Sequence, residues 1–177
     1  MTVRMELSRI LIRELTDYQV IELREVADNG TPVDDLRTFP IVIGLPEAQA
    51  IERRLSGVPV RRPQTHDLLA NIVDALDASL ESVSITDLSD QTFYAVLALR
   101  DTRGEVVEVD ARPSDAIALG IGLNVPIYVA EHVLAQALSN STLESQFEEG
   151  AFEEGQFGES TYEEEGDDDE DDEEPSF

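Results

Sequence analysis

Two short stretches concentrate the side chains able to do chemistry. "RRPQTHDLL" (61–69) holds Arg61, Arg62, Thr65, His66 and Asp67, and "VDARPSDAIALG" (109–120) holds Asp110, Arg112, Ser114 and Asp115. Histidine exchanges a proton near neutral pH. Carboxylates hold divalent cations, and arginine grips phosphate oxygens with paired N–H bonds. Brought together, these groups suit phosphodiester hydrolysis. The expectation is that His66, Asp67, Asp110, Arg112 and Asp115 are catalytic. Asp110 and Asp115 would hold a divalent metal (Mg²⁺ or Mn²⁺), and Arg61, Arg62, Thr65 and Ser114 would contact substrate. The same residues also allow a structural reading, in which Arg112–Asp115 and His66 with an aspartate lock two turns together.

A helix start needs one capping acceptor, worth about 1 kcal/mol. Thr65 is the expected N-cap of the first of these helices, with Asp67 at the positive end of its dipole. The junction before Pro113 carries more polar groups than a cap uses, and that surplus singles it out.

The elements that must position these residues follow from periodicity. Alternating, β-branched runs predict strands over residues 3–15 and 19–26, with a turn at Thr16-Asp17, and "FPIVIG" predicts a third. "ADNGTPVDD" reads as loop. Pro46 opens a helix that Gly57 closes. "THDLLANIVDALDASL" (65–80) predicts a second helix, with Leu68, Leu69, Ile72, Val73 and Leu76 on one stripe. Then come strands "ESVSITDL", "TFYAVLALR" and "EVVEVD", a helix from Pro113, a strand "PIYV" and a last helix near Glu131.

Pro46 to Pro59 and Pro113 to Pro126 have the same spacing, and each Pro-led helix ends in Val-Pro-Val/Ile. This predicts an internal duplication of a β-β-β-α unit. The expected fold is α+β, a compact domain with a mixed or antiparallel sheet and packed helices, over residues 1–140. Aligned on the prolines, Ile43, Leu45 and Ala48 stand where the second unit has Asp110, Arg112 and Asp115. The turn therefore forms without those three polar residues.

Charge is unevenly placed. All twelve basic residues are arginines, between Arg4 and Arg112, and the net charge is −27. Residues 141–177 hold 17 of the 39 acidic residues and no base. The remainder is still acidic, which argues against a broad nucleic-acid-binding face. Arg53, Arg54, Arg61 and Arg62 are candidates for a local basic patch, against the plainer reading of solvated surface arginines. With no cysteine there is no thiol chemistry and no disulfide, which fits a reducing, cytoplasmic setting. No apolar run is long enough to span a bilayer, so no membrane partner is expected.

"RRPQTHDLL", "DQTFYAVLALRD", "VDARPSDAIALG" and "VPIYV", in that order, resemble the bifunctional nuclease domain of bacteria and plants. "FPIVIGLPEAQAI" fits as well, and the resemblance covers about residues 3–138. It implies a compact α+β fold, a homo-oligomer, and degradation of both RNA and DNA with little sequence preference. Thr65, His66, Asp67, Asp110, Arg112, Pro113, Ser114 and Asp115 match its motifs; the roles given above come from their own chemistry. The contrasting function is a non-catalytic oligomeric scaffold.

From Phe147 the sequence repeats every five residues, placing aromatics at Phe147, Phe152, Phe157 and Tyr162, before ending in "GDDDEDDEEPSF". Five matches neither helix nor strand, so 141–177 is expected to be a disordered acidic tail. Its aromatics suggest contact points for a basic protein partner. A second expectation is that the tail folds back on the arginine patch.

Overall fold

A computed structural model describes residues 1–12, 18–27 and 35–139. The predicted turn at Thr16-Asp17, most of the "ADNGTPVDD" loop and the acidic tail lie outside the described residues.

Among the described residues seven strands form one sheet: β1 (Thr2–Leu11), β2 (Tyr18–Glu25), β3 (Thr38–Gly44), β4 (Ser79–Ser89), β5 (Thr92–Arg100), β6 (Val106–Ala111) and β7 (Ile127–Ala130). Their order is β3-β2-β1-β7-β4-β5-β6. Only the β4–β7 pair is parallel. The helices are α1 (Leu45–Leu55), α2 (Thr65–Ala75), α3 (Pro113–Leu123) and α4 (131–139). Each antiparallel three-strand meander leads into a helix with proline in its first two positions, where a missing N–H leaves no bond unmade.

Strand alternation sorts the side chains cleanly. Ile21, Leu23, Phe39, Ile41, Val83, Ile85, Ala95, Ile127 and Val129 are all buried on one face. The other face carries ion pairs such as Arg24–Glu6 and Arg9–Glu22. β3 and β5 lie five places apart, about 24 Å across a flat sheet. Yet the Phe39 and Phe93 ring centroids are 5.7 Å apart. The sheet must therefore curl around its apolar face.

α3 lies in that hollow and is buried almost all round, from Pro113 to Gly120, as expected of a helix without a polar face. Gly120 permits the approach: a Cβ there would lie 2.8 Å from Val83 Cγ2. Gly120→Val should cost roughly 2 kcal/mol through overpacking, read as a lower midpoint in urea melts.

The expected extent of α2 is corrected. It stops at Ala75 rather than running to Leu80, because Asp77 takes a left-handed φ of 53° and Ser79 and Leu80 join β4. Its apolar stripe does not enter the core. No α2 residue is buried, and Leu68, Leu69, Ile72 and Leu76 stay 41–67 % exposed. Gly57 closes α1 as expected, at φ +60°. At the far end, Arg37 pairs with both Glu25 and Glu131, tying the start of α4 to β2.

Candidate functional site

The site forms where the starts of α2 and α3 face each other beside α1. Proline and the extended conformation of Arg112 start α3. No side chain caps it, so the polar residues at its start are free to act sideways. Asp115, in its first turn, does this. Its Oδ1 lies 3.1 Å from His66 Nε2 on α2, and its Oδ2 accepts from Arg112 Nε at 2.7 Å. Arg112 Nη1 in turn pairs with Glu47 Oε1 of α1 at 2.9 Å. His66 is largely buried, Asp115 is partly exposed, and Arg112 is mostly in solvent.

A second cluster adjoins it through the neighbouring residue. Asp67 Oδ1 accepts from Arg54 Nη2 at 2.8 Å, and Arg53 Nη1 stands 3.3 Å from Oδ2. That same Oδ2 accepts the backbone N–H of Gln64 at 3.0 Å, half of a capping box. The N-cap is thus Gln64, not Thr65, which is the exposed first residue of α2. The reading of Arg53 and Arg54 as solvated surface arginines is also corrected. Their side chains are only 16 % and 7 % exposed. Gly122 of α3 makes room for Arg54, because a Cβ there would overlap Arg54 Nη1.

Burial by itself would raise the pKa of Asp115, but hydrogen bonds from Arg112 and His66 outweigh it and the net shift is downward. Asp67 is also lowered, chiefly by the Gln64 N–H, with Arg53 and Arg54 opposing its burial. A depressed folded-state pKa adds stability above the ordinary carboxylate value, near 4, and that stability is lost as pH falls through the folded value. The melting temperature should accordingly drop below about pH 4, and less steeply in Asp115→Asn, as thermal scans across that range would show.

The remaining expected site residues are placed differently. Asp110 pairs across the sheet with Val96, whereas its neighbour Ala111 pairs with buried Ala95. Alternation therefore turns Asp110 to the opposite sheet face, where it is exposed. Ser114 is buried at the start of α3. Arg61 and Arg62 are exposed and make no ion pair among the described residues.

The donor set does not suit the expected metal. Both Asp115 oxygens are engaged by His66 and Arg112. Asp110 faces away, and no group of three or more His, Cys, Asp or Glu among the described residues could hold an ion. Glu47 was not legible as a site residue, because aligned on the two prolines it matches Ser114 rather than an acid. Its one signal was its place in the first turn after a helix-opening proline.

No helix among the described residues is long and apolar enough to cross a membrane. The bifunctional nuclease domain model matches residues 31–142, a span containing every residue of both clusters. An uncharacterized protein of Mycobacterium tuberculosis is 43 % identical over 128 residues, 72 % of this chain and 71 % of its own length. Bifunctional nuclease 2 and bifunctional nuclease 1 of Arabidopsis thaliana are each 25 % identical over 97 residues, 54 % of this chain and 30 % of theirs. With the matched span covering most of the chain, and a relative this similar along most of its length, the protein belongs to the bifunctional nuclease domain family.

Proposed function

We infer that this protein hydrolyses phosphodiester bonds in nucleic acid at the His66–Asp115–Arg112 cluster. The observation that carries the reading is a histidine held by a carboxylate beside an exposed arginine, inside the span matched by the nuclease family. An ionised carboxylate only accepts hydrogen bonds, so Asp115 selects the tautomer with its proton on Nε2. Nδ1 is then left with a lone pair.

Nδ1 takes the proton of the attacking hydroxyl, either water or, in RNA, the 2′-OH. As the new O–P bond forms, the bond to the leaving oxygen breaks, and that oxygen takes the proton from the imidazolium. Asp115 steadies the transient positive charge on His66. Arg112 has Nη2 unengaged among the described residues, and with Arg61 and Arg62 it neutralises the phosphate oxygens. Glu47 fixes the Arg112 guanidinium. None of these steps passes through a metal, since the donors found do not fit one.

The test is cleavage of end-labelled RNA and DNA of one sequence by the full chain, with EDTA or with Mn²⁺. RNA cutting should persist in EDTA to within about threefold, and Asp115→Asn should lower it about a hundredfold. Activity lost in EDTA and restored by Mn²⁺ would overturn the metal-free step. If Asp115→Asn loses stability without any activity to lose, the cluster is a structural lock and the scaffold reading stands.

A further inference from the structure

Among the described residues nothing covers the apolar stripe of α2, and its surroundings define what could cover it. His66–Asp115 ties the first turn of α2 to the start of α3, directly after β6. The chain leaves α2 into Ser79 of β4, which pairs with Arg100, and Arg100 pairs with Val106 at the start of β6. α2 therefore packs against α3 and the start of β4, at the end of the sheet where β6 is the edge strand. α2 exposes Leu68, Leu69, Ile72 and Leu76, and β6 exposes Val107 and Val109. Lone exposed apolar side chains are ordinary, but four on one side of a helix, with two more on the edge strand at the same end of the sheet, mark an interaction surface. At one end of it stand Arg61 and Arg62, which make no ion pair among the described residues, and the solvent-facing Arg112.

We propose that this strip is the docking surface for the chain's own C-terminal segment, whose aromatic residues cover α2 while its acidic residues reach the arginines at the mouth of the site. Three observations support that occupant. The first is charge: 141–177 carries 17 acidic residues and no base, and the arginine end of the strip is where nucleic-acid phosphates would bind. The second is reach. Described structure ends at Ser139, and Phe147 follows eight residues later, about 26 Å of extended chain. A domain of this size has a radius of gyration near 14 Å. The third is spacing. Phe147, Phe152, Phe157 and Tyr162 recur every five residues, about 17 Å apart in extended chain. The eleven residues of α2 span about 16 Å. Two successive aromatics thus bracket the helix.

Tethering keeps the segment at an effective concentration near millimolar, so weak individual contacts suffice. The segment then competes with nucleic acid, and longer or more highly charged strands displace it. That competition rests on the nuclease reading; the docking does not.

Hydrogen exchange of the full chain, compared with full-length F147S/F152S/F157S/Y162S, tests the docking. Amides of α2 should exchange at least fivefold faster in the variant at equal concentration. Fluorescence anisotropy with labelled single-stranded RNA at low salt tests the competition, and the variant should bind at least fivefold more tightly. Unchanged exchange at α2 overturns the proposal, whatever happens to binding. Protection that disappears on dilution together with a halving of mass in light scattering also overturns it, in favour of a second copy on the strip. Faster exchange with no RNA binding by either chain upholds the docking and counts against the nuclease reading.

Discussion

His66→Ala should reduce cleavage of single-stranded RNA by about 10²–10⁴-fold, the usual contribution of a positioned general base. The same change should lower stability by only about 1 kcal/mol. The two effects separate because of how the cluster is built. Among the described residues His66 makes one polar contact, to Asp115 Oδ1. After its removal Asp115 still accepts from Arg112 Nε, so no buried charge is left alone. His66→Gln sharpens the test, since an amide can donate to Asp115 but does not exchange a proton at neutral pH. Both variants should show the same rate loss, measured on end-labelled oligonucleotide, with nearly unchanged melting temperatures. Activity of His66→Ala within threefold of the parent chain would end the proposed chemistry.

Asp67→Ala should act on the fold instead. Arg53 and Arg54 are nearly enclosed, and Asp67 is the carboxylate that both reach. Arg53 Nε and Nη2 and Arg54 Nε are already buried without partners among the described residues. Burial lowers the Arg54 pKa, with Arg53 adding repulsion and Asp67 opposing it. Without Asp67 two neighbouring guanidinium groups lose their counter-charge, and the Gln64 N–H loses its acceptor. Removing one member of a buried pair typically costs 3–5 kcal/mol, and partial exposure of Asp67 puts the expectation at about 3 kcal/mol. For a domain of this size that is a fall of about 10 °C in melting temperature. Arg54→Met in the same chain should recover part of the loss, because it removes the stranded charge and keeps the volume. A melting temperature for Asp67→Ala within about 2 °C of the parent would show that the triad adds little.

Much of the architecture was legible in the sequence because it is locally encoded. Period-two runs marked the strands, Pro46 and Pro113 marked the helix starts, and Gly57 marked a helix end. The run of motifs from "RRPQTHDLL" to "VPIYV" was enough to name the family. Where sequence reasoning failed, a local signal met a tertiary decision. The stripe on α2 has the pattern of a core-facing helix. Periodicity reports only that a helix has an apolar side, and the hollow of the sheet was taken by α3, the more apolar helix. Arg53 and Arg54 looked like surface residues because nothing nearby in sequence shows that Asp67 will enclose them or that Gly122 will make room.

By itself, the sequence determined the strand and helix content, the family, and the two stretches holding a surplus of polar groups. Tertiary structure alone decided which of those groups meet. Asp110 and Asp115 stand five residues apart, yet a strand ends and a helix begins between them, so one carboxylate faces away and the other turns toward His66. Glu47 entered the cluster from the first half of the chain by the packing of α1 against α3. Side-chain chemistry is a property of residues, but the distance between charges belongs to the folded chain.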